Sequence, residues 1–94
     1  MRTLIWSKTF VRAFKRVIKR HPQLRNDIEE TLLLLVEYPF APTLATHKLK
    51  GHLSDSWACS VEYDMRIIFD FVKSEEQAED DIFLLEIGTH DEVY

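Results

Sequence analysis

The sequence predicts an α+β fold in which two N-terminal helices pack on one face of a small antiparallel sheet, in the order β-α-α-β-β-β. Two patterns indicate this fold: apolar residues recur at helical spacing in the first half and alternate at strand spacing in the second. The composition, 46% hydrophobic with two Gly and three Pro, is typical of a compact globule. Ninety-four residues suffice for one small core, so we expect residues 1–94 to form a single domain.

The first half of the chain predicts a short strand and a helical hairpin. Residues 4–6 (LIW) supply the strand, and residues 8–20 follow the amphipathic pattern of a helix with one apolar side. Pro22 ends this helix and suits the first turn of a second helix that runs to about Tyr38. The first helix carries a cationic arc opposite its apolar side, formed by Lys8, Arg12, Lys15, Arg16, Lys19 and Arg20.

A loop and a hairpin follow the helices. Residues 39–55 carry two Pro and one Gly and form a connecting loop. Residues 57–63 alternate between apolar and polar side chains, which predicts a strand, and residues 65–72 predict a second strand. The connection around Tyr63 and Asp64 is so short that these strands form a hairpin.

The chain ends with an acidic loop and a third strand. Residues 73–81 are polar and acidic, and the sequence assigns them no role. Residues 82–87 (IFLLEI) are almost entirely apolar, which suits a strand in the middle of a sheet. Residues 88–94 (GTHDEVY) close the chain on an aromatic residue, which favours a docked C-terminus over a frayed tail.

Charge is segregated along the chain. The net charge is −4, but residues 1–50 hold ten Lys and Arg against four Asp and Glu, whereas residues 51–94 hold two against twelve. A basic half can form a local surface that attracts phosphate even in an acidic protein. The cationic arc is consistent both with a solvated helix face and with a face that meets RNA, DNA or an acidic partner. The candidate phosphate-binding residues on this arc are Arg12, Lys15, Arg16 and Lys19.

Several classes of protein are excluded by the sequence. The one Cys, Cys59, has no partner for an internal disulfide, and the charged N-terminus leads us to expect no signal peptide. The longest apolar run, residues 32–36, is far shorter than the roughly 20 residues of a membrane span. Apart from a weak pair, His47 and His52, the histidines show no metal-ligand spacing. We therefore expect a cytoplasmic protein with no membrane role, no metal and no cofactor.

Basic and proton-transferring side chains gather at the predicted loop and strand ends. Cleavage of RNA without a metal needs a base for the ribose 2′-OH, cations for the charge on phosphorus and an acid for the departing 5′-oxygen. Histidine can serve as base or acid near neutral pH, and a tyrosine ring can stack on a nucleobase. The residues that fit such a metal-free ribonuclease are His47, Lys48, Lys50, Arg66, His90 and Tyr94.

Structural roles also explain some of these residues. Arg66 interrupts an apolar strand, where it needs water or an acidic partner. The candidate acids are Glu62, Asp64 and Asp70. Pairing and substrate binding therefore both remain open for Arg66. Lys48 and Lys50 alternate in a polar stretch, and exposure to solvent alone would account for them.

Two segments resemble the RelE/ParE superfamily of bacterial toxins, and within it the mRNA interferases of the RelE, YoeB and YafQ kind. The segment HKLKGHLSDSW, from His47, followed by YDMRIIF is similar to the family pattern H-x-L-x-G…W/Y…x-R-[IL]-[IV]-[YF]. The ending GTHDEVY resembles the GTH ending of YafQ-like members. The order of elements matches over nearly the whole chain, so the resemblance implies a RelE-like fold for residues 1–94.

The resemblance also implies a role for each site residue. His47 matches a position that holds His or Glu and is implicated as the base. Lys50 and Arg66 match cations that contact phosphate. His90 matches the C-terminal catalytic His, and Tyr94 matches a terminal aromatic residue involved in base stacking or proton transfer.

The sequence departs from the YafQ-like pattern in two respects. That pattern has an Asp and a His on the first hairpin strand, where residues 57–60 read WACS and place Ala58 and Ser60 instead. The acid–base set is therefore smaller. The chain is also acidic overall, whereas the ribosome-binding members of the family tend to be basic.

The activity implied by the resemblance is that of an mRNA endonuclease toxin of a type II toxin–antitoxin pair. Such a toxin cuts mRNA on the ribosome through attack of the 2′-OH, so the expected partners are a cognate antitoxin, in a hetero-oligomer, together with the ribosome and mRNA. Two alternatives stay open. One is a ParE-like toxin that inhibits DNA gyrase by protein binding and lacks the His and Tyr ending, and the other is a degenerate member that only binds an antitoxin.

Overall fold

The structure, a computed structural model, describes residues 2–51, 55–62 and 64–94. Tyr63 of the predicted hairpin and His52 of the weak histidine pair lie outside these ranges. In chain order the elements are β1 (Leu4–Trp6), α1 (Lys8–Arg20), α2 (Arg25–Glu37), β2 (His47–Lys48), β3 (Trp57–Ser60), β4 (Met65–Val72), β5 (Asp81–Thr89) and α3 (His90–Val93).

The two long helices form as the amphipathic pattern predicts. α1 has the predicted bounds, and the Ser7 hydroxyl caps it by accepting a hydrogen bond from the Phe10 N–H at 3.0 Å. Pro22–Leu24 form a single 3-10 turn that leads the chain into α2, so the helical hairpin is confirmed. None of the described helices has the length and the apolar run that crossing a bilayer requires.

The five strands form one sheet in the order β1-β5-β4-β3-β2. β4 lies at its centre and pairs antiparallel with β3 and β5. The Val61 N–H donates to the Met65 carbonyl and the Met65 N–H to the Glu62 carbonyl, each at 3.0 Å, which closes the β3–β4 hairpin. The predicted hairpin is therefore confirmed.

The sheet is mixed, which corrects the expectation of an antiparallel sheet. β1 pairs in parallel with β5, with Leu4 opposite Ile82 and Trp6 opposite Leu84. The pattern of a three-residue strand carries no information about the direction of its partner. The long connection through both helices and the hairpin returns the chain to β1 in the same direction, as parallel pairing requires.

Three elements extend or interrupt what the sequence predicts. β2 lies inside the predicted loop 39–55, because a two-residue strand is too short to show alternation. β5 is longer than residues 82–87, and a register shift opposite Ile68 and Phe69 inserts one extra residue into it. Residues His90–Val93 form a helix, α3, where no helix was predicted.

The helices cover one face of the sheet. The core cluster combines side chains from α1 and α2 with alternating residues of β3, β4 and β5. Because side chains alternate along a strand, the residues between these core positions point to the opposite face. The fully buried residues of the core include Phe10, Ile28, Leu35, Ile67 and Phe69.

Candidate active site

Two predicted site residues lie on the sheet face opposite the helices. Cys59 and Ile67 belong to the core between helices and sheet, so Ala58 and Arg66, which alternate with them, point to the other face. His47 lies directly opposite Ala58 in the β2–β3 pair and therefore shares that face. The sheet alone thus places His47 and Arg66 on one surface, on strands two positions apart.

The one-turn helix α3 begins with His90, and Tyr94 directly follows its last residue. Thr89 is its N-cap, in a capping box in which Glu92 Oε1 accepts the Thr89 N–H at 2.8 Å. The His90 N–H donates to the Asp64 carbonyl at 3.1 Å and so ties the start of α3 to the hairpin turn. These bonds fix where the His90 side chain leaves the backbone.

Charge and close packing also hold α3. The hydrogen bonds of the capping box lower the pKa of Glu92, and the charges of Arg20 and Arg16 on α1 lower it further. The Glu92 carboxylate is therefore ionised at neutral pH. A Cβ atom at Gly88 would lie 3.1 Å from Cγ1 of Val93, so the glycine allows α3 to approach the backbone of β5.

His47 presents one ring nitrogen to the site. Its Nδ1 lies 3.0 Å from the carbonyl oxygen of Ala45, and because a carbonyl only accepts, Nδ1 carries the proton in the neutral ring. Nε2 is then an acceptor, 3.4 Å from the hydroxyl of Tyr94. Ala45 has a φ of 49°, in the left-handed region that costs a residue other than glycine about 1–2 kcal/mol. The surrounding fold therefore supports the turn that orients His47.

Tyr94 lies between the two histidines. Its hydroxyl faces His47 Nε2, and its ring packs edge-on against His90, with ring centroids 4.4 Å apart at an interplanar angle of 85°. Partial burial raises the pKa of Tyr94, and the charge of Arg66 opposes that effect. The phenol is therefore protonated at neutral pH and able to donate to His47.

Arg66 places a positive charge beside Tyr94. Its Nη1 donates to the Met65 carbonyl at 3.1 Å, and its charge acts on both Tyr94 and Cys59. Burial raises the pKa of the Cys59 thiol to about 12, so Cys59 is neutral and supplies no nucleophile. The structure thus brings together the four residues predicted as catalytic, named here the site cluster: His47, Arg66, His90 and Tyr94.

The other predicted phosphate-binding cations belong to β2, to the loop after it and to α1. Lys48 is opposite Trp57, which packs on the helix-side core, so its side chain points away from the face that carries His47. Lys50 is exposed in the loop after β2. The predicted cations of α1 are exposed on the helix layer: Arg12, Lys15, Arg16 and Lys19. Of these, Arg16 lies close enough to α3 for its charge to lower the pKa of Glu92.

Three residues that position α3 were not predicted for that role: Asp64, Thr89 and Glu92. The spacing of Thr89 and Glu92, T-x-x-E, is the signature of a capping box and would have predicted a helix start at this point. The contact of the Asp64 carbonyl with His90 depends on how α3 packs on the hairpin. A backbone contact of this kind leaves no signal in the sequence.

The site cluster offers an acceptor nitrogen, a second imidazole, a protonated phenol and a guanidinium on one face of the sheet. An imidazole can accept a proton from a hydroxyl or give one to a leaving oxygen near neutral pH. A guanidinium can stabilise charge that develops on a phosphate. The arrangement is therefore suited to proton transfer at a phosphodiester.

The sequence as a whole matches one protein family. The model of the family described as bacterial toxin of type II toxin-antitoxin system, YafQ, matches residues 2–94. No curated protein sequence matches the chain.

Solved structures of bacterial toxins share the fold. YafQ from Escherichia coli is 20% identical, with 100% of this chain and 99% of that chain covered and a TM-score of 0.79. The Escherichia coli DinJ–YafQ complex gives 21% identity, the same coverage and a TM-score of 0.77. A metal-bound toxin from Helicobacter pylori is 29% identical, with both chains covered completely and a TM-score of 0.78. In residues 2–51, 55–62 and 64–94 of the present chain, no three His, Cys, Asp or Glu residues gather as a metal site.

Proposed function

The chain belongs to the YafQ family of bacterial toxins from type II toxin–antitoxin systems, and from this premise we propose that it is an endoribonuclease that cuts messenger RNA on the ribosome. One observation carries the proposal: His47 Nε2 faces the Tyr94 hydroxyl, beside His90 and on the sheet face that Arg66 shares. A toxin that acts only by binding another protein has no need to gather two imidazoles and a guanidinium in this way.

The first step of the proposed reaction uses His47 as the base. Nδ1 is protonated and held by the Ala45 carbonyl, so Nε2 is free to accept a proton. A ribose 2′-OH that takes the place of the Tyr94 hydroxyl would lie at Nε2. His47 removes its proton, and the 2′-oxygen attacks the adjacent phosphorus.

The second step breaks the bond between phosphorus and the 5′-oxygen. Arg66 stabilises the negative charge on the phosphorane oxygens, and His90 donates a proton to the departing 5′-oxygen. The products are a 2′,3′-cyclic phosphate and a 5′-hydroxyl end. The Tyr94 ring holds the neighbouring base by stacking, which keeps the 2′-oxygen in line with the bond that breaks.

The placement of the cations supports dependence on the ribosome. Arg66 is the predicted cation that lies in the site cluster, whereas the Lys48 side chain points to the other face of the sheet and the predicted cations of α1 lie on the helix layer. A site with so little positive charge of its own needs another molecule, here the ribosome, to hold the mRNA. In this proposal the cationic arc of α1 meets ribosomal RNA while the opposite sheet face meets mRNA in the cytoplasm.

An antitoxin completes the proposed system. The similar Escherichia coli protein occurs in a DinJ–YafQ complex, which supports a hetero-oligomer of this chain with its own antitoxin. An antitoxin segment that covers the site cluster would exclude RNA.

The test is expression of the chain in a bacterium, followed by mapping of transcript ends. The proposal predicts new ends within translated regions for the parent chain and none for His90→Ala. Growth arrest with intact transcripts and inhibited DNA supercoiling would support gyrase inhibition instead. Absence of toxicity would favour a member that only binds an antitoxin.

A further inference from the structure

Three aromatic rings cluster on the helix side of the sheet: Phe40 is exposed, whereas Trp57 of β3 and Phe71 of β4 are half-buried. Phe40 stacks on Phe71 with ring centroids 5.8 Å apart at 23°, and Trp57 packs edge-on against both at 5.5 Å. Phe40 remains 60% exposed although it belongs to this cluster. Trp57 points away from the face that carries His47, so the cluster plays no part in the proposed cleavage.

The acidic loop, residues 73–81, borders these rings. Arg2 connects the two features: its guanidinium carbon lies 5.7 Å from the centre of the Phe71 ring, and its Nε pairs with Glu79 at 3.6 Å. Its Nη1 also donates to the Asp80 carbonyl at 2.7 Å. The loop is therefore fastened beside Phe71, and it holds five acidic residues against one Lys.

Arg2 shows which chemistry this surface accepts. The Arg2 guanidinium lies over the Phe71 ring and pairs with the Glu79 carboxylate. The ring and the carboxylate both attract a guanidinium at this position. Phe40 offers a second, more exposed ring of the same cluster. Glu75 and Glu76 are exposed on the loop and supply further negative charge.

We propose that the rings of Phe40, Trp57 and Phe71, with the acidic loop beside them, form a docking surface for an arginine-rich segment of the antitoxin. Arginine side chains of that segment would stack on Phe40 and Trp57 and pair with carboxylates of the loop. The acidic loop repels phosphate, which makes RNA a poor occupant although the Phe40 ring is exposed. The identity of the partner rests on the proposed function, whereas the chemistry of the surface does not.

The position of this surface would also allow one antitoxin segment to contact both faces of the sheet. His47 and Lys48 are neighbours on β2, and Lys48 lies opposite Trp57. A segment that crosses the edge at β2 can therefore reach the aromatic rings on one face and the site cluster on the other. Lys48 adds a positive charge at this edge, so the arginines of the partner should lie toward the loop rather than toward β2.

The test uses a deca-arginine peptide as the probe and nitrogen-15 NMR as the readout. The chain has two Trp residues, and the Trp6→Phe variant assigns their indole signals. Trp6 packs against Phe10 and Phe14 and serves as an internal reference. We expect the peptide to shift the Trp57 indole signal and to leave the Trp6 signal in place.

Matched variants separate specific docking from simple charge attraction. Phe40→Ala should weaken binding by about two- to fivefold, the effect of losing one exposed cation–π contact, and Phe40→Leu should weaken it almost as much while keeping apolar area. Glu75→Gln with Glu76→Gln should also weaken binding. Glu30→Gln, which removes an exposed carboxylate from α2, should leave it unchanged.

Three outcomes would overturn the proposal. One is equal binding by the parent and Phe40→Ala, and another is an effect of Glu30→Gln as large as that of the loop variants. The third is a shift of the Trp57 signal by a uridine decamer but not by deca-arginine, which would make the rings an RNA-stacking surface. Because the assay involves no cleavage, these results do not depend on whether the chain is a nuclease.

Discussion

Replacing Glu92 with Ala tests how α3 holds His90 and Tyr94 in place. The Glu92 carboxylate accepts the Thr89 N–H at 2.8 Å, and this bond closes the capping box. A helix of four residues is not stable by itself, because its few hydrogen bonds do not offset the cost of nucleation. Glu92→Ala should therefore raise the fraction of molecules in which α3 has left the sheet.

The size of this effect follows from the exposure of the cap. Loss of a helix cap costs about 0.5–2 kcal/mol. Because the Glu92 carboxylate is exposed and screened by solvent, we expect the cost here to be about 1 kcal/mol or less. Such a change alters the ratio of docked to undocked α3 by up to about fivefold. The backbone N–H groups of His90 and Tyr94 should exchange with solvent faster by up to that factor, and RNA cleavage should slow by no more. The midpoint of thermal unfolding should fall by at most about 4–8 °C.

Hydrogen exchange measured by NMR provides the assay, with two comparison variants. Glu30→Ala removes an exposed carboxylate from α2 and should leave exchange at Tyr94 unchanged. Glu92→Gln keeps an oxygen acceptor and should have a smaller effect than Glu92→Ala. Hydrogen bonds hold the pKa of Glu92 below its ordinary 4.5, so the cap contributes fully above that pH. The contribution is lost as the pH falls through the lowered pKa, where parent and Glu92→Ala should converge.

Equal exchange at His90 and Tyr94 in the parent and in Glu92→Ala at neutral pH would refute this reasoning. It would mean that the bond from His90 to the Asp64 carbonyl and the packing of Val93 on Gly88 hold α3 without the cap.

Other variants test the site and the core. Arg66→Ala should slow cleavage on the order of 10²-fold in a single-turnover assay. Arg66→Lys should restore little activity because lysine lacks the forked guanidinium. If Arg66→Ala instead loses the circular dichroism spectrum of the folded chain, Arg66 has a structural role. Deletion of Tyr94 should weaken RNA binding by about 1–3 kcal/mol in a fluorescence titration, whereas Tyr94→Phe keeps the ring and should weaken it less. Gly88→Ala should press on Val93 Cγ1, 3.1 Å from the added methyl group, and should lower cleavage while the chain stays folded by circular dichroism. Burial raises the pKa of Cys59 to about 12, so Cys59 should react with iodoacetamide about 10²-fold faster in urea than in the folded protein near neutral pH. Equal rates would contradict its burial.

The sequence predicts those elements of the fold that are long enough to show their hydrophobic period. α1 and β4 have the predicted bounds because each is long enough to show its period and is bounded by clear breakers. β2 has two residues and β1 three, so neither their pairing nor the direction of β1 has a local signal. The mixed sheet therefore could not be predicted from the sequence.

The candidate site was predictable in part. The alternation of β4 places Arg66 opposite the core side chains, and the resemblance of the chain end to a toxin family selects His90 and Tyr94. The contact between Tyr94 and His47 joins residues 47 positions apart, and no local pattern encodes such a contact. Lys48 carries an RNA-binding prediction that the register places on the other face, so that role stays a prediction without support from the site geometry.

Cleavage of mRNA by the purified chain tests the central claim most directly. Translating ribosomes loaded with a defined mRNA should yield fragments that end in a 2′,3′-cyclic phosphate, while the same mRNA without ribosomes stays largely intact. His90→Ala should slow the ribosomal reaction by about 10²- to 10⁴-fold, because it removes the proton donor for the 5′-oxygen. Full activity of His90→Ala, or fragments that end in a 3′-hydroxyl, would contradict the account.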